Sequence, residues 1–198
     1  MNDQRWILYL RTVFVVSLFL LLLSALAYPA EVPYISFSSN QDGNWDIYTI
    51  DINGENLHNL TSRRRTSDII ATWSPNGYSF AYSSDPNGHS DIYVMNVETK
   101  KNHRLTKDPG SDVMAAWSPD GQWIAFCSDR SGAFEIYKMD VHGKNLQRLT
   151  RLPGKNTSPA WSPDSQSIVF NSFWRNKDGI REQFLYVMDA DGQMLSMS

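Results

Sequence analysis

Residues able to do chemistry are sparse in this 198-residue chain, and none has the spacing of a catalytic site. There is no Gly-x-Ser-x-Gly motif to present a serine nucleophile at a strand-to-helix turn. Cys127 is the single cysteine, and no motif associates a histidine with it. No metal-ligand spacing relates the four histidines, His58, His89, His103 and His142. We therefore predict a non-catalytic protein without a metal or a cofactor.

Acidic residues at two kinds of position are weaker candidates for binding a cation. The segment Asp189-Ala-Asp191-Gly192 resembles part of a calcium loop but lacks the remaining ligands, and a hairpin turn explains it. Asp68, Asp112 and Asn156 each precede a tryptophan by five residues, and converging carboxylates there could hold a cation. The alternative is that these three side chains cap turns through bonds to the backbone.

Two groups of residues have the composition of a protein-binding surface. Arg63, Arg64 and Arg65 form a basic cluster, and Trp174 is followed directly by Arg175. Tryptophan and arginine are enriched among the residues that contribute most to protein-protein binding. Each group also has a simpler explanation: three arginines on one loop are usually only solvated, and Trp174 could be an apolar cap on the exposed side of the last repeat.

The elements that must position these residues are repeats of one unit. Trp73, Trp117 and Trp161 are each separated by 44 residues, and each begins a Trp-Ser-Pro motif. A period of about 44 residues is typical of a propeller blade. Because the tryptophans recur at blade spacing, we predict that they are buried in equivalent places between blades.

Each unit contains four short apolar runs separated by turn signals. Ser118-Pro119-Asp120-Gly121 has the residues of a tight turn between the first two runs. Asn53-Gly54, His142-Gly143 and Asp191-Gly192 hold the place of a two-residue reversal between the last two runs. The apolar runs are nearly continuous, which indicates that both faces of each sheet are covered. We predict an all-β fold: a β-propeller of about four four-stranded antiparallel blades.

The repeated motifs resemble the TolB-type propeller repeat, a distant relative of the Trp-Asp repeat. The resemblance covers residues 33–198, with blades at about 33–61, 62–106, 107–150 and 151–198. It implies a binding platform or the companion domain of a peptidase or a lyase. The motifs that carry it are Ala116-Trp-Ser-Pro-Asp-Gly121, Ile124-Ala-Phe126, Ser128-Asp129-Arg130, Glu135-Ile-Tyr137, Met139-Asp140 and Arg148-Leu-Thr150.

Both ends of the repeat array depart from the family pattern. The first unit has no Trp-Ser-Pro segment, so its innermost strand is missing, and the fourth lacks the Arg-Leu-Thr motif of the outer strand. Three interpretations remain: a small four-bladed ring, an open arc that pairs with a second chain, or a truncated piece of a longer protein. Bare terminal edges favour the last two and would allow self-association.

The first 27 residues have the pattern of a secretory signal. Arg5 and Arg11 precede an apolar stretch, and Ala25-Leu26-Ala27 offers small residues at a cleavage site before Tyr28. The alternative is an uncleaved signal anchor in the inner membrane, formed by residues 6–27, through which alone the protein would contact the membrane. Either kind of segment predicts that the propeller lies outside the cytoplasm, in the periplasm or secreted. A chain with one cysteine cannot form an internal disulfide, which is consistent with a bacterial envelope protein.

A binding function follows from the residues that the repeat does not require. The interval between equivalent tyrosines is 49 residues in the fourth unit against 45 and 44 before it, so about five residues are inserted near Phe173 to Gly179. Insertions in repeat folds go to loops, often on the binding face.

The formal net charge of −3 gives no indication of nucleic acid. We predict an exported protein-binding module; the alternative is the propeller part of a prolyl oligopeptidase-like peptidase, or of a lyase acting on uronate sugars.

Overall fold

The computed structural model describes residues 34–62, 66–86 and 88–197. The predicted signal or anchor segment and the Arg63-Arg64-Arg65 cluster lie outside these ranges. Within them the chain forms fifteen β-strands and no helix, so the all-β prediction is confirmed. In the same ranges we find no helix with the length and apolar character needed to span a membrane.

Consecutive strands pair antiparallel into four sheets, each of which is one blade. Blade 1 contains three strands, and blades 2, 3 and 4 contain four strands each. The strands are β1 (Tyr34–Ser39), β2 (Asp46–Asp51) and β3 (His58–Asn59) in blade 1; β4 (Asp68–Trp73), β5 (Ser79–Ser84), β6 (Asp91–Asn96) and β7 (Asn102–Arg104) in blade 2; β8 (Asp112–Trp117), β9 (Trp123–Ser128), β10 (Glu135–Asp140) and β11 (Gln147–Arg148) in blade 3; and β12 (Lys155–Trp161), β13 (Ser167–Arg175), β14 (Arg181–Asp189) and β15 (Met194–Met197) in blade 4.

Blades 1 and 4 show whether a strand forms where the repeat motif that usually marks it is absent. The described part of blade 1 has no innermost strand, as its missing Trp-Ser-Pro segment predicts. Blade 4 does have its outermost strand, β15, although the Arg-Leu-Thr motif is absent. In blades 1 to 3 the Leu-Thr pair at this place supplies a threonine hydroxyl that accepts the N–H of an isoleucine, as from Ile136 to Thr150 at 2.9 Å. The motif therefore anchors the outer strand but is not required for it.

The turn after each tryptophan is the predicted tight hairpin. The N–H of Gly121 donates to the Ser118 carbonyl at 2.9 Å, and Gly121 has φ of 74°, a region that glycine enters without strain. The turns between the third and fourth strands differ from the prediction, because they are longer than two residues. In blade 3 the Asp140 carboxylate accepts the N–H groups of His142 and Lys144 at 2.9 and 2.8 Å. An aspartate-centred loop thus replaces the two-residue reversal.

The core consists of three apolar clusters, each located between neighbouring blades. In the cluster between blades 3 and 4, Cys127 and Ile136 from blade 3 pack with Ile168 and Phe170 from blade 4, all with 0% exposure. The repeated tryptophans occupy equivalent places beside these clusters, as predicted. They are only partly buried, however, which corrects the prediction that they are buried. The smaller aromatic and branched side chains of the second and third strands form the interior instead.

The described blades form an open arc, not a closed ring. Each blade contacts the next, and among the described residues no strand of blade 1 contacts a strand of blade 4. Leu185 shows the consequence: it is 44% exposed, whereas its counterparts Ile47, Ile92 and Ile136 in the other blades have 0% exposure. The sheet face of blade 4 that bears Leu185 is therefore uncovered in the described chain. The small closed ring is the one of the three interpretations that this geometry does not support.

Candidate functional site

The blade-to-blade linkers and the loops between second and third strands lie on one face, as the strand order requires. The Asp129 carboxylate, in the loop of blade 3, accepts the N–H of Ser111, in the linker that enters the same blade, at 2.7 Å. Asp85 and Ser67 make the equivalent bond in blade 2. We call this the linker face. All of the predicted binding residues that the structure describes belong to it or to strands that begin there.

Asp112 is not available to a ligand on the linker face. Its side chain is fully buried, and both carboxylate oxygens accept bonds from Nη2 of Arg130 at 2.8 and 2.9 Å. Burial raises the pKa of the Asp112 carboxyl, while the Arg130 guanidinium acts in the opposite direction. Arg130 also binds Asp108 at 2.6 Å and lies over the ring of Tyr137 at 5.0 Å. Asp112 is thus part of a structural ion-pair network, and its bonds are to side chains, not to the backbone of a turn.

The other two members of the predicted cation set are buried as well. Asn156 donates through Nδ2 to Oε2 of Glu135 at 3.0 Å, and Glu135 also binds Arg148 at 2.7 Å. Asp68 has 0% exposure at the start of β4. Among the residues that the structure describes, no group of three His, Cys, Asp or Glu side chains could hold a metal ion. Asp112 thus binds a side chain within its own blade, and Asn156 joins blade 4 to blade 3.

The insertion in blade 4 lengthens a hairpin instead of forming a loop, which corrects the predicted geometry. Strands β13 and β14 have nine residues each, against six for their equivalents in blade 3. The extra pairs end with Trp174 opposite Glu182 and Arg175 opposite Arg181. The turn is closed by the N–H of Asn176, which donates to the Ile180 carbonyl at 2.9 Å. Trp174 and Arg175 are therefore held on a regular β-ladder.

Trp174 combines a packing role with an accessible surface. Its ring lies 6.3 Å from that of Phe184, and its backbone borders Gly154 of the preceding linker so closely that an added Cβ would lie 2.8 Å from Trp174 Cβ. The side chain is still 39% exposed. The two interpretations of Trp174, as an apolar cap and as a binding residue, therefore each apply to part of its side chain. One part of the indole covers the hairpin, and the rest faces solvent. Arg175 fixes the turn by donating from Nη1 to the Gly179 carbonyl at 2.9 Å.

A cavity of about 460 Å³ lies where the linker into blade 4 meets this hairpin. We call it the hairpin pocket. Its size falls in the range of small-ligand and peptide-anchor pockets. It is lined by Gly154, Lys155, Phe173, Trp174, Arg175 and Arg181. Three of these six residues are cationic, none is acidic, and two are aromatic.

Two of the three cations, Lys155 and Arg181, were not predicted from the sequence. The register of three paired strands brings these cations close to one another. Lys155 pairs with Phe173 across β12 and β13, and Arg181 pairs with Arg175 across β13 and β14. The Arg181 guanidinium lies 4.9 Å from the Phe173 ring centroid. No spacing along the chain indicates this grouping. It could have been found only by treating the insertion as paired strands and aligning the residues across them.

Cys127 is a core residue, as predicted from its repeat position. It occupies the place that Ser83 has in blade 2, and its side chain has 0% exposure. Burial raises the pKa of the Cys127 thiol to about 12, while the backbone N–H of Ser158, which bonds to it, acts in the opposite direction. A thiol of this kind is not an activated nucleophile.

Meander sheets of four strands, arranged in an arc with cores between successive sheets, define a β-propeller. A family model described as the TolB beta propeller domain matches residues 65–196, more than half of the chain. The protein therefore belongs to the TolB beta-propeller family. The resemblance noted in the repeat motifs is confirmed.

Solved structures give the same assignment at the level of fold. A TolB from Agrobacterium tumefaciens is 27% identical with a TM-score of 0.71, over 82% of this chain and 59% of that chain. TolB from Acinetobacter baumannii is 24% identical with a TM-score of 0.63, over 81% and 50%. An oligogalacturonate lyase from Vibrio parahaemolyticus shares the fold at 13% identity, with a TM-score of 0.61 over 83% and 48%.

The chain spans between 48% and 59% of the length of these three proteins. A search of curated proteins found no match.

Proposed function

We propose that this protein is an exported, non-catalytic propeller that binds a partner protein of the cell envelope, and that the hairpin pocket is part of its binding surface. The observation that carries the proposal is the departure of blade 4 from the repeat. Blades 2 and 3 show that six-residue strands are enough to build a blade. The longer strands of blade 4 exceed this length, and they place Trp174, Arg175 and Arg181 around one cavity beside Lys155 of β12.

The composition of the hairpin pocket suits a protein partner. A partly exposed tryptophan supplies a large contact area with few rotatable bonds, and arginines supply several hydrogen-bond donors each. Membership of the TolB propeller family supports a binding role, because the family resemblance implies a platform for other proteins. Catalysis has no corresponding support: Asp112 and Glu135 are buried in ion pairs with arginines, and the Cys127 thiol is in the core.

Replacing Trp174 and Arg175 together by Ala tests the binding surface. Immobilised parent and variant proteins would be compared for capture of proteins from an envelope extract, after both have been shown to unfold at the same temperature. Lys177→Ala is the matched control, because Lys177 is exposed in the same turn but does not line the pocket. We expect the double variant to lose a captured protein that the control retains. Unchanged capture by an equally stable double variant would refute this binding surface.

Export is tested separately by intact-mass measurement of the protein recovered from the producing cell. A chain that begins at Tyr28 is expected, because Ala25-Leu26-Ala27 meets the small-residue requirement of signal cleavage. A full-length product that sediments with membranes would instead favour the anchor formed by residues 6–27.

A further inference from the structure

We infer that the hairpin pocket binds carboxylate side chains of an extended, acidic peptide segment in the partner. This inference rests on the proposed function and adds the chemical class of the ligand. It depends on the placement of three like charges, on the side chain that already covers the Phe173 ring, and on the apolar patch that lies beyond the pocket on the same sheet face.

The like charges are placed where they repel each other. Arg175 and Arg181 face each other directly across an antiparallel strand pair, and such an arrangement of equal charges destabilises a sheet. Among the described residues neither arginine, nor Lys155, has a carboxylate within ion-pair distance. Successive side chains of a strand point to opposite faces, so Glu182 is directed away from the two arginines. A bound anion would relieve this repulsion.

The guanidinium groups retain unused donors for that anion. Arg175 commits one N–H to the Gly179 carbonyl, and a guanidinium carries five N–H donors in all. Arg181 is held over the Phe173 ring, which fixes its position without using its hydrogen-bond donors. Two oriented arginines suit the planar, bidentate geometry of a carboxylate.

A peptide fits this pocket better than an acidic sugar does. Sugar binding commonly requires an open aromatic face, but the Phe173 ring on the face of the two arginines is already covered by Arg181 at 4.9 Å. The uncovered sheet face carries an apolar patch beyond Gln183 and Asn171, two polar side chains that bond to each other next to the pocket. Leu185 is 44% exposed there, next to the partly buried pair Val169 and Val187. Arg181 and Leu185 lie on the same face of β14, so an extended segment with acidic side chains at one end and apolar side chains at the other can contact both surfaces.

The test uses a fluorescein-labelled hexapeptide of three glutamates followed by three leucines, titrated with the full chain and followed by fluorescence anisotropy. The matched peptide has glutamine in place of glutamate. We expect the glutamate peptide to bind about tenfold more tightly, because a hydrogen bond to a charged group contributes more than a neutral one. Added salt should reduce this difference.

Protein variants assign the binding to the pocket. Arg175→Gln combined with Arg181→Gln should lower the affinity for the glutamate peptide about tenfold, while Lys177→Gln, which removes the same kind of charge from the adjacent turn, should change it less than twofold. Equal binding of the two peptides, or an equal loss in the Lys177→Gln control, would overturn the inference. Binding of oligogalacturonate without binding of the peptide would overturn it as well.

The two levels of the proposal fail differently. If the Trp174 and Arg175 double variant loses its captured partner but the glutamate and glutamine peptides bind equally, the binding surface stands and the acidic ligand is wrong. If the glutamate peptide binds through the arginines but the double variant captures the same proteins as the parent, the proposed function is wrong and the anion pocket stands.

Discussion

The repeated tryptophans provide a quantitative prediction, because two of them differ in one hydrogen bond. Nε1 of Trp161 donates to the Ala116 carbonyl of the preceding blade at 3.1 Å. Nε1 of Trp117 is buried, and it has no hydrogen-bond partner among the described residues. Replacing each tryptophan by Phe removes a similar area of partly buried ring, which costs about 1 kcal/mol in each case at 25 cal/mol per Å².

The hydrogen bond separates the two variants. Trp161→Phe should lose about 1 kcal/mol more than Trp117→Phe, because only the former breaks a bond. The latter removes an N–H that is buried without compensation, which offsets part of its cost. A difference of this size corresponds to about 2 to 4 °C in unfolding temperature for a chain of this length. Trp117→Ala should cost about 3 kcal/mol, at the low end for aromatic truncation, since the ring is only partly buried.

Urea unfolding followed by far-ultraviolet circular dichroism would measure these differences, with the slopes compared to verify that the unfolded states are alike. Equal costs for Trp117→Phe and Trp161→Phe would refute the role of the indole hydrogen bond. A cost below about 1 kcal/mol for Trp117→Ala would show that this tryptophan does not contribute to the core.

Three further predictions concern other parts of the arc. Arg130→Met should destabilise the protein by about 3 kcal/mol in urea unfolding, because it leaves the buried Asp112 carboxylate without its cation; a cost near zero would contradict this. The backbone N–H of Lys144 lowers the pKa of Asp140, so the extra stability of the parent over Asp140→Asn should be present above pH of about 4 and should disappear as the pH falls through the lowered value, in thermal unfolding against pH. Leu185→Asp should reduce self-association in sedimentation velocity, whereas Ile180→Asp, at an exposed position in the β13–β14 turn, should not; a monomeric parent protein would rule out association through this face.

The sequence by itself determined the blade and its order. The 44-residue interval of the tryptophans, the Ser-Pro-Asp-Gly turns and the short apolar runs specify local strand pairs whose partners are close neighbours in the chain. Local pairing of this kind needs no information about distant residues. For the same reason the core position of Cys127 was predicted correctly.

Contacts between strands and blades decided the rest. Asp68 and Asp112 resemble surface binding residues in the sequence, but the structure buries both, and for Asp112 the reason is the arrival of Arg130 from a different hairpin. The insertion resembles a loop in the sequence, but its residues pair as strands because each half can satisfy the other's backbone groups.

The hairpin pocket depends on the tertiary structure altogether. Lys155, Arg175 and Arg181 come from three strands, and only their register and the passage of the linker at Gly154 bring them to one cavity. Repeat spacing cannot reveal a site of this kind, because its residues occur in one blade only. A periodic sequence fixes what every blade shares; the site that distinguishes one blade from the others arises from side chains that meet across strands.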